Sequence, residues 1–402
     1  VTDLLISAAN AVLNGTDVKK ASASVTERFI EIGNSLGIDS DVMGKITTDI
    51  ESCVASNKSH QSKYVDRVKA IGEDSNAKLV AAALRKRGAK SVYVNPAEAG
   101  LILTEEYGNA QVLPESYENL ASLSKREEIV VFPGFFGVTK SGDIATFPRG
   151  GSDITGSILA AAVKAEVYEN FTDVDSVYAA DPRIVPEAMP IEELTYREMR
   201  ELSYSGFGVF HDEAIVPAVT AEIPICIKNT NKPDLPGTRI LPERKFTPGK
   251  VVGIASGDGF CTVFVSKYLM NREIGFGRRL LQIMEEEGLS YEHTPSGIDN
   301  ISVILRENAF TAEKEKHVIN RIKKELDVTD VSVEKGLSLI MIVGEGMRYT
   351  VGLAARATRA LAEAGVNIEM LNQGSSEISM MFGVKSVDSA KAVKALYGEF
   401  FE

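Results

Sequence analysis

Tryptophan is absent from the 402 residues, and cysteine and histidine are scarce, at three and four. Cys53, Cys226 and Cys261 are odd in number and widely spaced, which excludes a disulfide framework and offers no Cys-x-x-Cys for zinc. Each is expected as a small core residue. His60, His211, His293 and His317 lie far apart with no His-Glu-x-x-His, so neither a transition-metal centre nor histidine-based acid–base catalysis is expected. No apolar run approaches the ~18 residues that suggest a membrane-spanning helix, and no signal-peptide pattern opens the chain, so the expected location is the cytoplasm. Positive charge is in deficit as well. Against 56 Asp+Glu stand 44 Lys+Arg, a net −12, which argues against a binder of nucleic-acid backbones and against a polybasic membrane anchor. Position 1 is Val rather than Met, and a missing start is expected.

What is present is ordinary for a folded protein. Apolar residues make up 44% and charged residues 25%, and at roughly 150 residues per domain the length allows two or three domains. Short Val- and Ile-rich runs at 91–94, 129–132, 167–171 and 223–227 alternate with helix-length segments, the pattern of a parallel sheet covered on both faces. Four prolines then crowd the polar stretch 231–250, which marks a linker or crossover. Beyond it the sequence repeats itself. Gly288-Leu289-Ser290 matches Gly365-Val366-Asn367, Ile301-Ser302-Val303 matches Ile378-Ser379-Met380, and Val263 and Val265 match Ile340 and Ile342, all at a spacing of 77. Each copy reads strand, helix, strand, strand, helix, so two small α+β modules are expected.

The chemistry is expected in glycine-rich loops. Phe147-Pro148-Arg149-Gly150-Gly151-Ser152-Asp153 precedes a helical run to Ala165. Paired glycines let backbone N–H groups approach an anion, Ser152 or Asp153 can cap the helix, and a helix start favours negative charge. The segment is neither a P-loop nor a dinucleotide fingerprint, and by itself it also fits a plain helix start. A second loop, Pro133-Gly134-Phe135-Phe136-Gly137, follows the run at 129–132. Ligands of open α/β sheets bind beyond the carboxyl ends of strands, which suits such a loop to phosphates. A third polar segment, Phe171 to Arg183, also follows a strand and carries a Tyr and an Arg.

The combination of Pro-Arg-Gly-Gly-Ser-Asp (148–153), Phe-Thr-Asp-Val-Asp-Ser-Val-Tyr (171–178) and Asp-Pro-Arg (181–183) closely resembles the aspartokinases. The two repeats with Leu371-Asn372-Gln373-Gly374-Ser375-Ser376 resemble that family's paired ACT regulatory domains, so the resemblance spans essentially the whole chain. It implies an α/β amino-acid kinase fold, mainly parallel sheet between helices, at 1–235. Two α+β ACT domains would follow, at 236–330 with the linker and at 331–402 with a return segment. It also implies phosphoryl transfer from ATP to L-aspartate, with Mg2+ carried by the nucleotide and no metal ligands assigned on the protein. The chemistry is coherent, because a carboxylate with a pKa of about 3.9 is already an anionic nucleophile and needs no general base. The task left is to align two anions and neutralise the transferred group.

By the same resemblance, Asp153 is the catalytic carboxylate, and Arg149 grips the α-carboxylate of aspartate, with Gly150, Gly151 and Ser152 beside it. Glu73 takes the substrate ammonium and Thr2 lies on the substrate side; from the residues alone, an exposed helix position and an N-cap remain open for these two. Gly134, Phe135, Gly137, Thr172, Asp173, Tyr178, Asp181 and Arg183 are assigned to ATP. Met270, Ser290, Tyr291 and Glu292 are assigned to a feedback amino acid, lysine and/or threonine, with ordinary loop and strand roles open for them as well. A homo-oligomer through the ACT domains is implied, with no nucleic-acid or membrane partner. Two departures stand out. The family's initial strand and Lys-Phe-Gly-Gly loop do not appear before Val1, which implies weak or no activity for a polypeptide starting there. Its Gly-x-Lys-Val-x-His appears as Gly206-Phe207-Gly208-Val209-Phe210-His211, so Gly208 brings no charge and Arg183 is the neighbouring cation to replace it. The alternatives are a kinase for glutamate or acetylglutamate, and a non-catalytic amino-acid sensor.

Overall fold

The computed structural model describes residues 1–148, 150–204 and 212–402, the side chains at 212 and 213 excepted. They form two compact units, Val1–Thr172 with Phe210–Ile227, and Asp173–Val209 with Lys228–Glu402.

The first unit opens with four helices, Thr2–Leu13, Val18–Leu36, Ser40–Val54 and Gln61–Lys86. Local chemistry sets their ends. Asp17 caps the second by accepting from Lys20 N–H at 3.2 Å, and Gly37 closes it in the left-handed conformation. Leu5, Phe29, Ile46, Ile50, Tyr64 and Val68 interlock as one apolar core. Two parallel pairs follow: Ser91–Tyr93 with Ile129–Val131, and Ile102–Leu103 with Phe136–Thr139, which also turns back on Ile144–Thr146. The runs at 91–94, 129–132 and 167–171 are therefore strands, arranged in short sheets. The helix Gly151–Val163 packs Ile158 and Ala162 against Leu101, Leu103, Leu120 and Phe147, and the strand Tyr168–Thr172 comes next.

In the second unit Glu193–Thr195 pairs in parallel with Thr238–Leu241 and leads into the helix Tyr196–Tyr204. Thr238–Leu241 is thus a strand inside the proline-rich stretch, flanked by Pro236 and Pro242, where the ladder does not need their missing N–H groups. The rest is a six-stranded antiparallel sheet in the order 291–293, 300–306, 253–266, 330–343, 379–385, 370–372. Helices Phe276–Glu286 and Ala312–Leu326 complete the first module, and Leu353–Glu363 and Ser389–Phe401 the second.

The repeat is real, with one correction. The helices start 77 apart, at Phe276 and Leu353, and both chains turn out through a left-handed glycine, Gly288 and Gly365, each with φ 65°. The last two strands are 79 apart instead, Asn300–Arg306 answering Ser379–Lys385. Two extra residues follow Val366. A shift of two preserves the in–out alternation, so Val303 and Leu305 are buried like Phe382 and Val384, and the pattern alone could not reveal the slip.

Candidate active site

Two glycine loops of the first unit meet at one helix start. Phe135 sits in the left-handed region, φ 75°, which non-glycine residues avoid. It is clamped there. Its N–H donates to Thr155 Oγ1 at 3.0 Å, its carbonyl accepts from Phe147 N–H at 2.9 Å, and the Thr155 hydroxyl donates to the Gly151 carbonyl at 2.9 Å. Strain held by surrounding structure is typical of functional loops.

The cap differs from the sequence expectation. Gly150, φ 82°, occupies it, and no side chain caps the helix; Ser152 and Asp153 lie inside the first turn. A glycine in that conformation places the bend two residues before Ser152 and three before Asp153. The first intrahelical bond runs from Ile154 N–H to the Gly150 carbonyl at 3.0 Å. The N–H groups of Gly151, Ser152 and Asp153 therefore have no helix partner and stand at the positive end of the helix dipole, ready for an anion. The approach tolerates no side chains. A Cβ on Gly151 would lie 2.7 Å from the Phe135 ring, and one on Gly134 3.0 Å from the Ser152 backbone. Gly137 has another role: it is buried in its strand, where a Cβ would meet the Leu101 carbonyl at 2.7 Å.

Asp153 is held by residues the sequence did not single out. Asn170, buried on the neighbouring strand, donates Nδ2–H to Asp153 Oδ1 at 2.8 Å and to the Tyr168 oxygen at 3.1 Å; the Tyr168 hydroxyl donates to the Asp153 carbonyl at 3.2 Å. Burial pushes the Tyr168 phenol up to about 12, so it remains a donor. Gly156 makes room for this ring, since a Cβ there would lie 2.6 Å from its oxygen. The available signal was alternation, which puts Tyr168, Asn170 and Thr172 on one face of the strand. Asp153 Oδ2 receives no hydrogen bond among the described residues.

Glu73 lies in the long helix Gln61–Lys86, beside Gly72, over which Leu5 packs. It is half-buried rather than exposed, and burial holds its carboxyl above the usual carboxylate range. Thr2 is not an N-cap: Val1 occupies that position and Thr2 is the first helical residue, exposed. Arg149, Gly208 and His211 lie outside the described residues.

In the second unit, Arg183 forks onto Asp181, with Nη2 2.6 Å and Nε 3.0 Å from the carboxylate, and this pairing holds Asp181 below the usual range. A second cation went unnoticed in the sequence: Lys232 lies 2.8 Å from Asp175 Oδ2, and Asn229 donates to the other oxygen at 2.5 Å. Tyr178 is bridged to Pro190. Of the four residues assigned to a feedback amino acid, Ser290 and Tyr291 line an open groove with Arg278, Leu281 and Glu285, whereas Met270 is buried in the first module's core. Glu292 is already engaged, by Arg306 at 3.0 Å and by the Tyr204 hydroxyl.

A strained loop locked over an uncapped helix start, with one oriented carboxylate, inside an α/β unit followed by paired α+β modules, defines an amino acid kinase with regulatory domains. The model of the amino acid kinase family matches residues 4–229, and that of the ACT domain matches 340–400. The chain belongs to the aspartokinases of this family. It is 57% identical to aspartokinase 3 of Bacillus subtilis over 401 residues, covering 100% of this chain and 88% of the relative. The structure of Clostridium acetobutylicum aspartate kinase superposes with a TM-score of 0.85 at 36% identity, over 99% of this chain and 88% of that one. Escherichia coli aspartokinase III, solved with aspartate and ADP, matches in fold with a TM-score of 0.75 at 22% identity, over 100% and 91%. No helix among the described residues is long and apolar enough to cross a membrane.

Proposed function

We propose that this chain transfers the γ-phosphoryl group of ATP to the β-carboxylate of L-aspartate, giving ADP and 4-phospho-L-aspartate, the first step toward lysine, threonine and methionine. The observation that carries the reading is the free helix start at 151–153, locked under the loop at 133–135, with Asp153 oriented by Asn170. Such a site suits a substrate that brings its own nucleophile. It offers N–H groups to the charge of the transferred group and needs no His or Cys.

In this reading Asp153 organises the charged groups around the transferred phosphoryl, and Arg149 holds the α-carboxylate, for which a planar fork is apt. Glu73, half-buried and without a hydrogen bond to a described residue, takes the substrate ammonium, and its raised pKa falls once that cation arrives. Gly134 and Phe135 face the phosphates; Thr172, Asp173, Tyr178, Asp181 and Arg183 line the nucleotide, with Lys232 as a further cation beside Asp175. Among the described residues, no three His, Cys, Asp or Glu side chains are grouped to hold a metal. A magnesium ion arriving on the nucleotide would be held by a single carboxylate, for which Asp153, with no hydrogen bond to Oδ2 among the described residues, is suited. When bound, the ion neutralises phosphate charge.

The domains divide at 1–235, 236–330 and 331–402, and the last two bind the feedback amino acid, lysine and/or threonine, and join copies of the chain. Supporting the joining role, Ile274 and Val351 are 98% and 99% exposed at equivalent helix starts of the two modules. The chain works in the cytoplasm, where its three free cysteines, two of them buried, stay reduced. The test is an assay with ATP, aspartate and hydroxylamine, which traps the acyl phosphate as the hydroxamate. Turnover that drops at least about 100-fold in Asp153→Ala supports the reading. Amino-acid binding without any turnover makes the protein a sensor, and preference for glutamate or acetylglutamate makes it a different kinase.

A further inference from the structure

The helix Gln61–Lys86 carries two buried carboxylates that the reaction described above does not use. Asp66 and Asp74 lie with Ala70 and Glu73 at i, i+4, i+7 and i+8, so both share one stripe of the helix with the residue assigned to the substrate ammonium. Each is bonded to a strand that leads into a glycine loop.

Asp66 grips backbone rather than a side chain. Its Oδ2 accepts from Thr146 N–H at 2.8 Å and from Gly108 N–H at 2.7 Å, and Lys69 lies 4.0 Å from Oδ1. Burial raises the Asp66 pKa while these groups pull the other way, so the position is costly unless both N–H groups are met. Thr146 ends the strand Ile144–Thr146, opposite Phe136. The next residue, Phe147, donates to the Phe135 carbonyl at 2.9 Å, and the chain runs on to the helix start at Gly151. One carboxylate thus fastens the helix of Glu73 to the entry of the loop that ends at 151–153.

Asp74 makes the matching bond to the other loop. The Tyr93 hydroxyl donates to Asp74 Oδ1, and Lys78 lies 2.7 Å from Oδ2. Burial, and Asp74 itself, hold the Tyr93 phenol above its usual range, so it stays a donor. Asn95 Nδ2 donates to the Tyr93 oxygen at 3.0 Å. Tyr93 closes the strand Ser91–Tyr93 and stands opposite Val131, the last residue of the parallel strand that runs into the loop at 133–135. The two carboxylates therefore tie one stiff helix to both loops, and Glu73, with no hydrogen bond to a described residue, is placed by that helix.

We propose that Asp66 and Asp74 are positioning residues for the amino-acid substrate: together they set where Glu73 stands relative to the two glycine loops. They thereby set the separation at which the substrate's ammonium and its reacting carboxylate are held. Neither needs to touch the substrate. The proposal rests on the reading that Glu73 takes the ammonium. A shift of about 1 Å in such a holder spoils the alignment of the bound nucleophile, which can cost on the order of 100-fold.

The test is Asp66→Ala and Tyr93→Phe in the whole chain, the second removing only the hydroxyl that Asp74 accepts. Steady-state hydroxamate kinetics are run on both, on Glu73→Gln, and on each combined with Glu73→Gln. Each single variant should raise the KM for aspartate at least about fivefold, a fraction of the cost of a displacement of about 1 Å, and leave the KM for ATP within about twofold. In the Glu73→Gln background the same changes should alter the KM for aspartate by less than about twofold, because a residue that acts through Glu73 has nothing left to position, whereas a general loss of structure adds undiminished. Asp66→Asn, whose amide oxygen can accept from both N–H groups, should recover most of the aspartate affinity lost in Asp66→Ala. A parental KM for aspartate in Tyr93→Phe or in folded Asp66→Ala overturns the proposal, as does a shift that persists in the Glu73→Gln background. If Asp66→Ala does not fold, Tyr93→Phe decides alone. Glu73→Gln with a parental KM for aspartate refutes the ammonium assignment beneath the proposal, and a parent without turnover refutes the kinase reading; each is told apart from the outcomes above.

Discussion

Asn170 fixes the rotamer of Asp153 through a 2.8 Å hydrogen bond from its buried amide to Oδ1. The carboxylate is thereby held toward the strand Tyr168–Thr172 rather than left to rotate into solvent. Asn170→Leu keeps the approximate shape and removes the donor. Misplacing a catalytic group by about 1 Å can cost on the order of 100-fold. We expect kcat to fall by ~10- to 100-fold while the KM for aspartate changes by less than about threefold, because Asn170 orients the reacting centre and does not grip the substrate. Steady-state hydroxamate kinetics check this, and an unchanged kcat would refute the positioning role.

The glycine loops, the runs at 91–94, 129–132 and 167–171, and the doubled βαββα module were legible because each depends on local pattern or on resemblance. What the sequence concealed depends on tertiary placement. Thr195-x-x-Glu198 is visible as a capping box, but its reuse by Arg244 and Glu345 is a matter of three distant segments converging. The cap at Gly150 escaped because a polar residue two positions on is the usual choice, and only backbone conformation reveals that glycine took it. Gly137 looked like part of a phosphate loop, yet it clears space for the Leu101 carbonyl, and nothing local distinguishes the two demands. Met270 sat near the feedback residues in sequence but turned into the core, as an apolar side chain beside Phe276 and Leu280 does.

The clearance around Gly151 yields a second prediction. Its added Cβ would meet the Phe135 ring at 2.7 Å, the Phe147 Cβ at 2.8 Å and the Phe135 Cα at 3.3 Å, and even if the ring turns aside the last two stay close, since the Phe135 backbone is clamped by Thr155. Gly151→Ala should therefore lower stability by about 1–3 kcal/mol, as overpacking does, and also displace the anion-binding N–H groups. Gly44, in the helix Ser40–Val54, is the control. Nothing lies within 4 Å of its Cβ position, so Gly44→Ala should stabilise the protein by about 0.5–1 kcal/mol and leave turnover intact. Urea denaturation and turnover measured on both variants decide the matter. A Gly151→Ala protein of parental stability and activity would mean that the loop is slack.

His293 gives a pH prediction. Asn372 Nδ2 is a donor only, so Nδ1 of His293 accepts and the ring proton lies on Nε2, which is buried and meets no partner among the described residues. Burial holds the His293 pKa below its ordinary value of 6.5, with Glu292 and Glu201 acting in the opposite direction. In the unfolded chain the same imidazole takes its proton near 6.5, so on acidification the unfolded state binds the proton first. The stabilising contribution of neutral His293 is present above about pH 6.5 and is lost as pH falls through that value toward the lower folded one. His293→Gln keeps a hydrogen-bonding side chain that does not titrate. The parent should therefore lose stability relative to this variant between pH 7.5 and 5.5, and the comparison cancels the carboxylates common to both. Denaturation midpoints at the two pH values provide the measurement. Parallel loss in parent and variant would show that the ring is solvated, and that the edge-to-edge contact with Asn372 is open in solution.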